Sequence, residues 1–208
     1  MSLTPDLENK KADIKKLAQK ALYDNRFVDE LLEGILSKKD VIRSNSFNTL
    51  MMLSEMDAER LYHKWNLFSE LLDSENTYHK YIAVYLIVNL LSADKDKRFD
   101  EIFPRFYALL EDSIVVAGHV AALSARIIHA RPELEPRITE KLLDIDKTSQ
   151  KHKYLLKAGA IDSFDSYFEG AKDKEGILRF VRQALAGDSP KTRKKAKEFL
   201  KKWDKQDA

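Results

Sequence analysis

Ser74–Ala93 reads SENTYHKYIAVYLIVNLLSA, and it is the most apolar helix candidate in the chain. From Ile82 to Leu91 only Asn89 is overtly polar. A helix that is apolar on nearly all sides has to be covered on nearly all sides. Interrupted by Tyr and Asn, the stretch is also too short to span a bilayer. It is therefore expected to be the inner helix of a central repeat, with further helices stacked before and after it.

Look-alikes surround it, and apolar spacing is helical almost everywhere. Thr4–Pro5 is a helix start with a capping hydroxyl and proline in the first turn. Ile14, Leu17, Ala18, Ala21 and Leu22 then form one apolar stripe. Helices are predicted over 24–36, 39–55, from a cap at Asp57 through Leu61, Trp65, Phe68 and Leu72, and over 74–93. A charged turn, Asp94–Lys97, precedes a helix carrying Phe99, Ile102, Phe103, Phe106 and Leu110, which Pro104 should kink or restart. Further helices are predicted over 113–130, 135–144, 149–168, 174–186 and 190–204. No period-2 segment bounded by turn residues is present, so no sheet is expected.

The bulk composition agrees. The chain has 208 residues, 34% charged and 44% hydrophobic, as in a highly charged helical protein. Its 36 Lys and Arg against 34 Asp and Glu leave a net charge of +2, with no global field to draw in nucleic acid. The absence of Cys removes disulfides, thiolate chemistry and Cys-ligated zinc, and fits a cytoplasmic setting. The opening MSLTPDLENKK has no apolar core and is not expected to be a signal peptide. Six Gly and five Pro are few for glycine-rich phosphate loops or many-turned β folds.

Second helices of successive pairs align on a basic residue, a small or apolar one three later, an apolar one four after that and another three on. Arg43, Ser46, Leu50 and Leu53 fit, as do Lys80, Ala83, Ile87 and Leu90, and Arg193, Ala196, Leu200 and Trp203. Gly118, Ala121, Ala125 and Ile128 lack the base, and Lys153, Leu156, Ala160 and Ser163 fit poorly at the last slot. The anchors are separated by 37, 38, 35 and 40 residues. A nearly constant step with drifting sequence is what stacked helical hairpins produce, because each pair packs only on its neighbours.

In the acidic turn, the basic slot and the small slot of Asp40-Val41-Ile42-Arg43-x-x-Ser46, and in Asp188 with Arg193-x-x-Ala196, the chain resembles the HEAT/armadillo class of α-solenoids. The resemblance covers about 24–204. It implies an all-α fold: a right-handed α-α superhelix of about five HEAT-like helix pairs after a leading helix over 1–23, with 205–208 a tail, in one domain. It further implies a non-catalytic protein-binding scaffold whose second helices line a concave face.

Helical angles at 100° per residue place Ser44, Asn48, Met52 and Glu55 on that face in the first pair, and Tyr78, Tyr81, Tyr85 and Asn89 in the second. His119, Leu123 and Ile127 follow in the third pair, Tyr154, Ala158 and Asp162 in the fourth, and Lys194, Glu198 and Lys202 in the fifth. The candidate protein- or peptide-binding surface is Tyr81, Tyr85, Asn89, His119, Leu123 and Tyr154, because tyrosines offer rigid contact area with a polar tip. Burial of these tyrosines and Leu123 within one chain would remove the groove.

Other constellations point to structure. The bases Arg43, Lys80, Lys153 and Arg193 follow acidic turns and are expected to satisfy turn groups. Of histidines 63, 79, 119, 129 and 152, His79 and His152 occupy the same slot of different repeats and His119 lies close to it; stacked pairs are roughly 10 Å apart, whereas zinc needs ligands within about 2 Å, and no His-x-x-x-His pair stands within a helix, so no metal or cofactor is expected. Asp162 and Asp165 lack an acid–base partner, no nucleophile elbow or Gly-rich loop is present, and no enzyme is expected. Lys191 to Lys205 holds eight basic residues against two acidic ones, a net of +6. Lys191, Lys194, Lys195, Lys201 and Lys202 form a basic patch there, and the helix is expected to cap the array. The rival reading is a nucleic-acid-binding solenoid of the DNA-repair type using basic and aromatic groups, Trp65 among them, although the middle of the face carries little positive charge.

Overall fold

The computed structural model describes residues 5–148 and 151–204; Thr4, Ser149 and Lys205 lie outside the described residues. Thirteen α-helices run in order among them: α1 Pro5–Glu8, α2 Ile14–Ala21, α3 Asn25–Gly34, α4 Asp40–Met56, α5 Glu59–Tyr62, α6 Trp65–Leu71, α7 Thr77–Leu90, α8 Arg98–Ala108, α9 Ile114–Ala130, α10 Glu135–Leu143, α11 Lys153–Tyr167, α12 Lys174–Ala184 and α13 Pro190–Trp203. No strand is present among the described residues, and none of these helices is long and apolar enough to cross a membrane. The long second helices α4, α7, α9, α11 and α13 start at steps of 37, 37, 39 and 37 residues. The chain divides within α8, after Ile102, into two compact units.

In the first unit the leading segment is two helices rather than one. Asn9 turns the chain by accepting from the Lys11 N–H (2.9 Å), and Asp13 caps α2 by accepting from the Lys16 N–H (3.1 Å). Buried Asn45 of α4 holds the break, donating its amide to the carbonyls of Leu7 (3.0 Å) and Asn9 (2.9 Å). The helix capped by Asp57 is likewise divided, into α5 and α6 at His63–Lys64. α4 packs on α2 and α3, α6 packs on α7, and α4 and α7 lie side by side. The aligned slots Ser46, Leu50 and Leu53, with Ala83, Ile87 and Leu90, are fully buried between them. α7 is buried from Ile82 to Leu90 apart from Tyr85, as its composition requires.

The second unit repeats the scheme. α9 packs on α11, α11 on α13, α10 on α9 and α12, and α12 on α13. The irregular slots of these helices have a packing reason. A Cβ on Gly159 would lie 3.2 Å from both the Ala122 N and the Gly118 O, so α11 crosses α9 almost backbone to backbone. Ser163 donates its hydroxyl to the Ala121 carbonyl (2.7 Å) and accepts from the Ala125 N–H (3.3 Å). A larger apolar residue at that slot would drive the helices apart. α8 does not restart at Pro104 but continues to Ala108, with the proline exposed.

The tightest approach in the first unit is Gly34 against Ser46. A Cβ on Gly34 would lie 2.0 Å from Ser46 Oγ and 2.9 Å from Ser46 Cβ. The Ser46 hydroxyl is buried without a hydrogen-bond partner among the described residues. Gly34→Ala should therefore cost about 1–3 kcal/mol of stability through overpacking. Ser46→Gly in the same chain should recover part of that loss, and Ser46→Ala alone should cost little. Chemical denaturation of the four proteins checks this.

Candidate partner-binding site

Along the edge where α4 and α7 meet, the first unit carries an open groove of about 350 Å³ lined by Arg43, Ser44, Phe47, Asn48, Tyr78 and Tyr81, with Asp40 and Ile82 completing it. Successive turns of α7 bring Tyr78, Tyr81 and Tyr85 to one side, as i, i+3 and i+4 spacing dictates. Phe47 stands at 5.3 Å from the Tyr81 ring and 6.1 Å from that of Tyr85, and the two tyrosine rings are 4.9 Å apart. Tilted and edge-on ring contacts of this kind contribute about 0.5–1.5 kcal/mol each beyond their buried area. Tyr81 and Tyr85 are half-buried, Ser44 and Asn48 are exposed, and Tyr78 is 58% exposed. Arg43 lies over the Tyr78 ring at 4.3 Å, donates to the Ser37 carbonyl (3.0 Å) and pairs with Asp40.

Asn89 is placed differently from its tyrosine neighbours. It is 7% exposed and donates its amide to Ser54 Oγ (2.7 Å), which in turn donates to the Met51 carbonyl (2.7 Å). It joins α7 to α4 beneath the groove and presents nothing to solvent. Farther along α4, Met52 is half-buried and Glu55 exposed.

In the second unit His119 is half-buried, whereas Leu123 is 6% exposed and Ile127 fully buried. The close crossing of α9 and α11 takes in more of the α9 surface than an isolated pair would. Tyr154 is half-buried and leans on Gly187, where an added Cβ would fall 2.4 Å from the tyrosine Cδ1. The Tyr154 carbonyl accepts from Thr192 Oγ1. Ala158 is buried, and exposed Asp162 pairs with Lys195.

Next to Tyr154 is a group whose setting the sequence conceals. Lys157 is 2% exposed, pairs with Asp146, and holds its ammonium 4.7 Å from the Phe180 ring centre and 5.5 Å from that of Tyr154. Asp146 is gripped twice, since its carbonyl accepts from Lys153 Nζ (2.9 Å).

Three of the four basic slots thus face turn backbone. Arg43 donates to the carbonyl six residues before it, Arg193 to that of Gly187, also six before (2.7 Å), and Lys153 to one seven before. In the basic patch Lys195 pairs with Asp162, Lys202 with Asp165 (2.9 Å), and Lys194 stands 3.9 Å from Glu198. Trp203 Nε1 also donates to Asp165 (2.6 Å), and Asp204 accepts from Arg182 (2.8 and 2.9 Å), adding polar ties to the packing of buried Ala196 and Phe199. Lys191 and Lys201 are exposed, with no ion pair to another described residue.

Sequence periodicity misses a second cavity, of about 560 Å³, between the end of α8 and α10. Phe103, Tyr107, Leu110 and Ile145 line it with Arg137 and Lys141, and the Arg137 guanidinium lies 4.0 Å over Phe103. Its walls come from first helices, about thirty residues apart, for which no slot pattern existed. Among the described residues no three His, Asp or Glu side chains gather to hold a metal ion.

No protein family matches the chain, and neither does any curated protein. Solved structures do. The designed armadillo repeat protein YIII(Dq)4CqI is 14% identical, with a TM-score of 0.55 over 96% of this chain and 99% of that one. Designed armadillo repeat protein YIII(Dq.V1)4CPAF, in complex with peptide (KR)4, is 14% identical, with a TM-score of 0.53 over 97% and 99%. A computationally designed armadillo repeat protein for modular peptide recognition is also 14% identical, with a TM-score of 0.52 over 96% and 99%. The chain therefore has the all-helical repeat fold of armadillo proteins.

Two outcomes follow from the buried titratable groups. Asp146→Asn leaves the Lys157 ammonium buried without its counter-charge and should lower stability by about 2 kcal/mol or more, less than for a fully buried pair because Asp146 is one-third exposed; thermal and urea unfolding measure it. Burial lowers the pKa of His119, and burial with the nearby Arg43 charge lowers that of His79. The unfolded chain then takes up protons that the native one declines, so this contribution is complete above about pH 6.5 and is lost as pH falls below it. The stability of His119→Gln and His79→Gln should decline less steeply than wild type between about pH 7 and 5 in matched denaturation curves.

Proposed function

We propose that the chain is a non-catalytic helical-repeat scaffold that binds an extended peptide segment of a partner protein along the α4–α7 edge. The observation that carries this reading is the contacting ring cluster of Phe47, Tyr81 and Tyr85, with tyrosines half-open to solvent beside the exposed Ser44 and Asn48. Large preordered aromatic surface with polar tips is what binding hot spots are made of. A structural relative holding peptide (KR)4 supports peptide binding as a use of this fold. The same proposal takes the chain as about five pairs in a right-handed superhelix, on the regular spacing of its second helices.

His119 and Tyr154 are proposed as contacts on the second unit, with Asn89 and Leu123 supporting the helices that carry the surface. The nucleic-acid alternative has less behind it, because Arg43, Lys153 and Arg193 are spent on turn carbonyls and Lys195 and Lys202 on carboxylates.

Panning a displayed library of random peptides against the wild-type chain should enrich a family of related sequences. Those peptides should bind Tyr81→Ala and Tyr85→Ala variants at least about tenfold more weakly, a loss near 1.4 kcal/mol each, with helicity by circular dichroism retained. Equal binding to wild type and both variants would refute the assignment of this edge.

A further inference from the structure

We infer that the segment taken up by the α4–α7 groove is an uncharged, proline-rich stretch in extended conformation. This rests on the peptide-binding reading above and adds the chemistry of the occupant.

The charges decide the first half. Only two residues lining the groove carry charge, Asp40 and Arg43, and they are paired with each other. Arg43 spends a second donor on the Ser37 carbonyl and lays its guanidinium on Tyr78. An incoming cation would meet Arg43 and find that face of Tyr78 taken. An incoming anion would meet Asp40, whose side chain is 88% exposed. The two charges offset each other at close range, so the groove carries no net field and neither sign of charge is favoured. This differs from the relative that holds (KR)4, a peptide made of cations alone.

The rings and polar groups decide the second half. Phe47, Tyr78 and Tyr81 line the groove with aromatic surface, and Ile82 adds an aliphatic side. Aromatic-lined grooves suit polyproline II segments, whose conformation is formed before binding and costs little further entropy. Such a segment has carbonyls pointing outward and few N–H groups, because proline has none. The hydroxyls of Tyr78 and Ser44 and the amide of Asn48 are donors at the groove for those carbonyls. Asn48 is exposed and donates to Ser44 Oγ at a long 3.4 Å, so turning its amide toward a ligand loses little.

Three blocked peptides of equal length test this by fluorescence anisotropy: a proline–leucine peptide, a lysine–arginine peptide and an aspartate–glutamate peptide. The proline–leucine peptide should bind at least about tenfold more tightly than either charged one and change less than about twofold between low and high salt. Tyr81→Ala should weaken it about tenfold. Asn48→Ala, at an exposed position where folding is not at stake, should weaken it by about threefold or more through the lost donor. Preference for a charged peptide, with the same dependence on Tyr81, would overturn the occupant named here while leaving peptide binding in place. Failure of all three peptides, together with failure of the library to enrich any sequence, would overturn both.

Discussion

In each unit one helix crossing depends on a small residue standing where the helices meet. Gly34 faces Ser46 with no room for one more carbon, and Gly159 rests on the backbone of Ala122 and Gly118. Close approach converts many weak contacts into cohesion, and it leaves no slack for a methyl group. The long second helices inherit their placement from these crossings. The tyrosine edge of α7 is where it is because α4 beside it is held against the small face of α3.

Charge has a different task. Arginine or lysine at the start of three second helices closes the turn that leads into each helix by taking up a carbonyl six or seven residues back. Asp40 pairs with Arg43 beside its turn, and Asp146, whose carbonyl takes Lys153, gives its carboxylate to buried Lys157 one turn further on. A chain that is 34% charged thereby keeps much of its charge engaged within its own fold. The groove along α4 and α7 is lined mainly by aromatic rings with Ser44 and Asn48.

Much of this was legible in the sequence. The cap read at Asp57 accepts from the Arg60 N–H (3.2 Å), and Asp24 and Ser189, which the sequence reading did not single out as caps, do the same for the Phe27 and Thr192 N–H groups. The aligned small and apolar slots are buried because a repeat cannot hide them any other way. What stayed hidden depended on neighbours distant in the chain. The break at Asn9 needs Asn45, and the burial of Leu123 goes with the close crossing of α9 and α11. Ser163 looked like a poor slot residue because its partner is the α9 backbone, which has no side-chain signature. The angle rule placed Asn89 on the open side, but α7 is enclosed over a wider arc by α4 and α6.

That enclosed amide has a consequence of its own. Two apolar helix flanks can slide past one another by a full turn and still look satisfied, since oil does not count residues. The Asn89–Ser54 pair does count: displaced by a single turn, the Asn89 amide would lose the Ser54 oxygen in a largely dry interior, while Ser54 would keep only the Met51 carbonyl of its own helix. One polar contact thus sets the register of α7 along α4, and with it the depth at which every tyrosine ring meets the solvent.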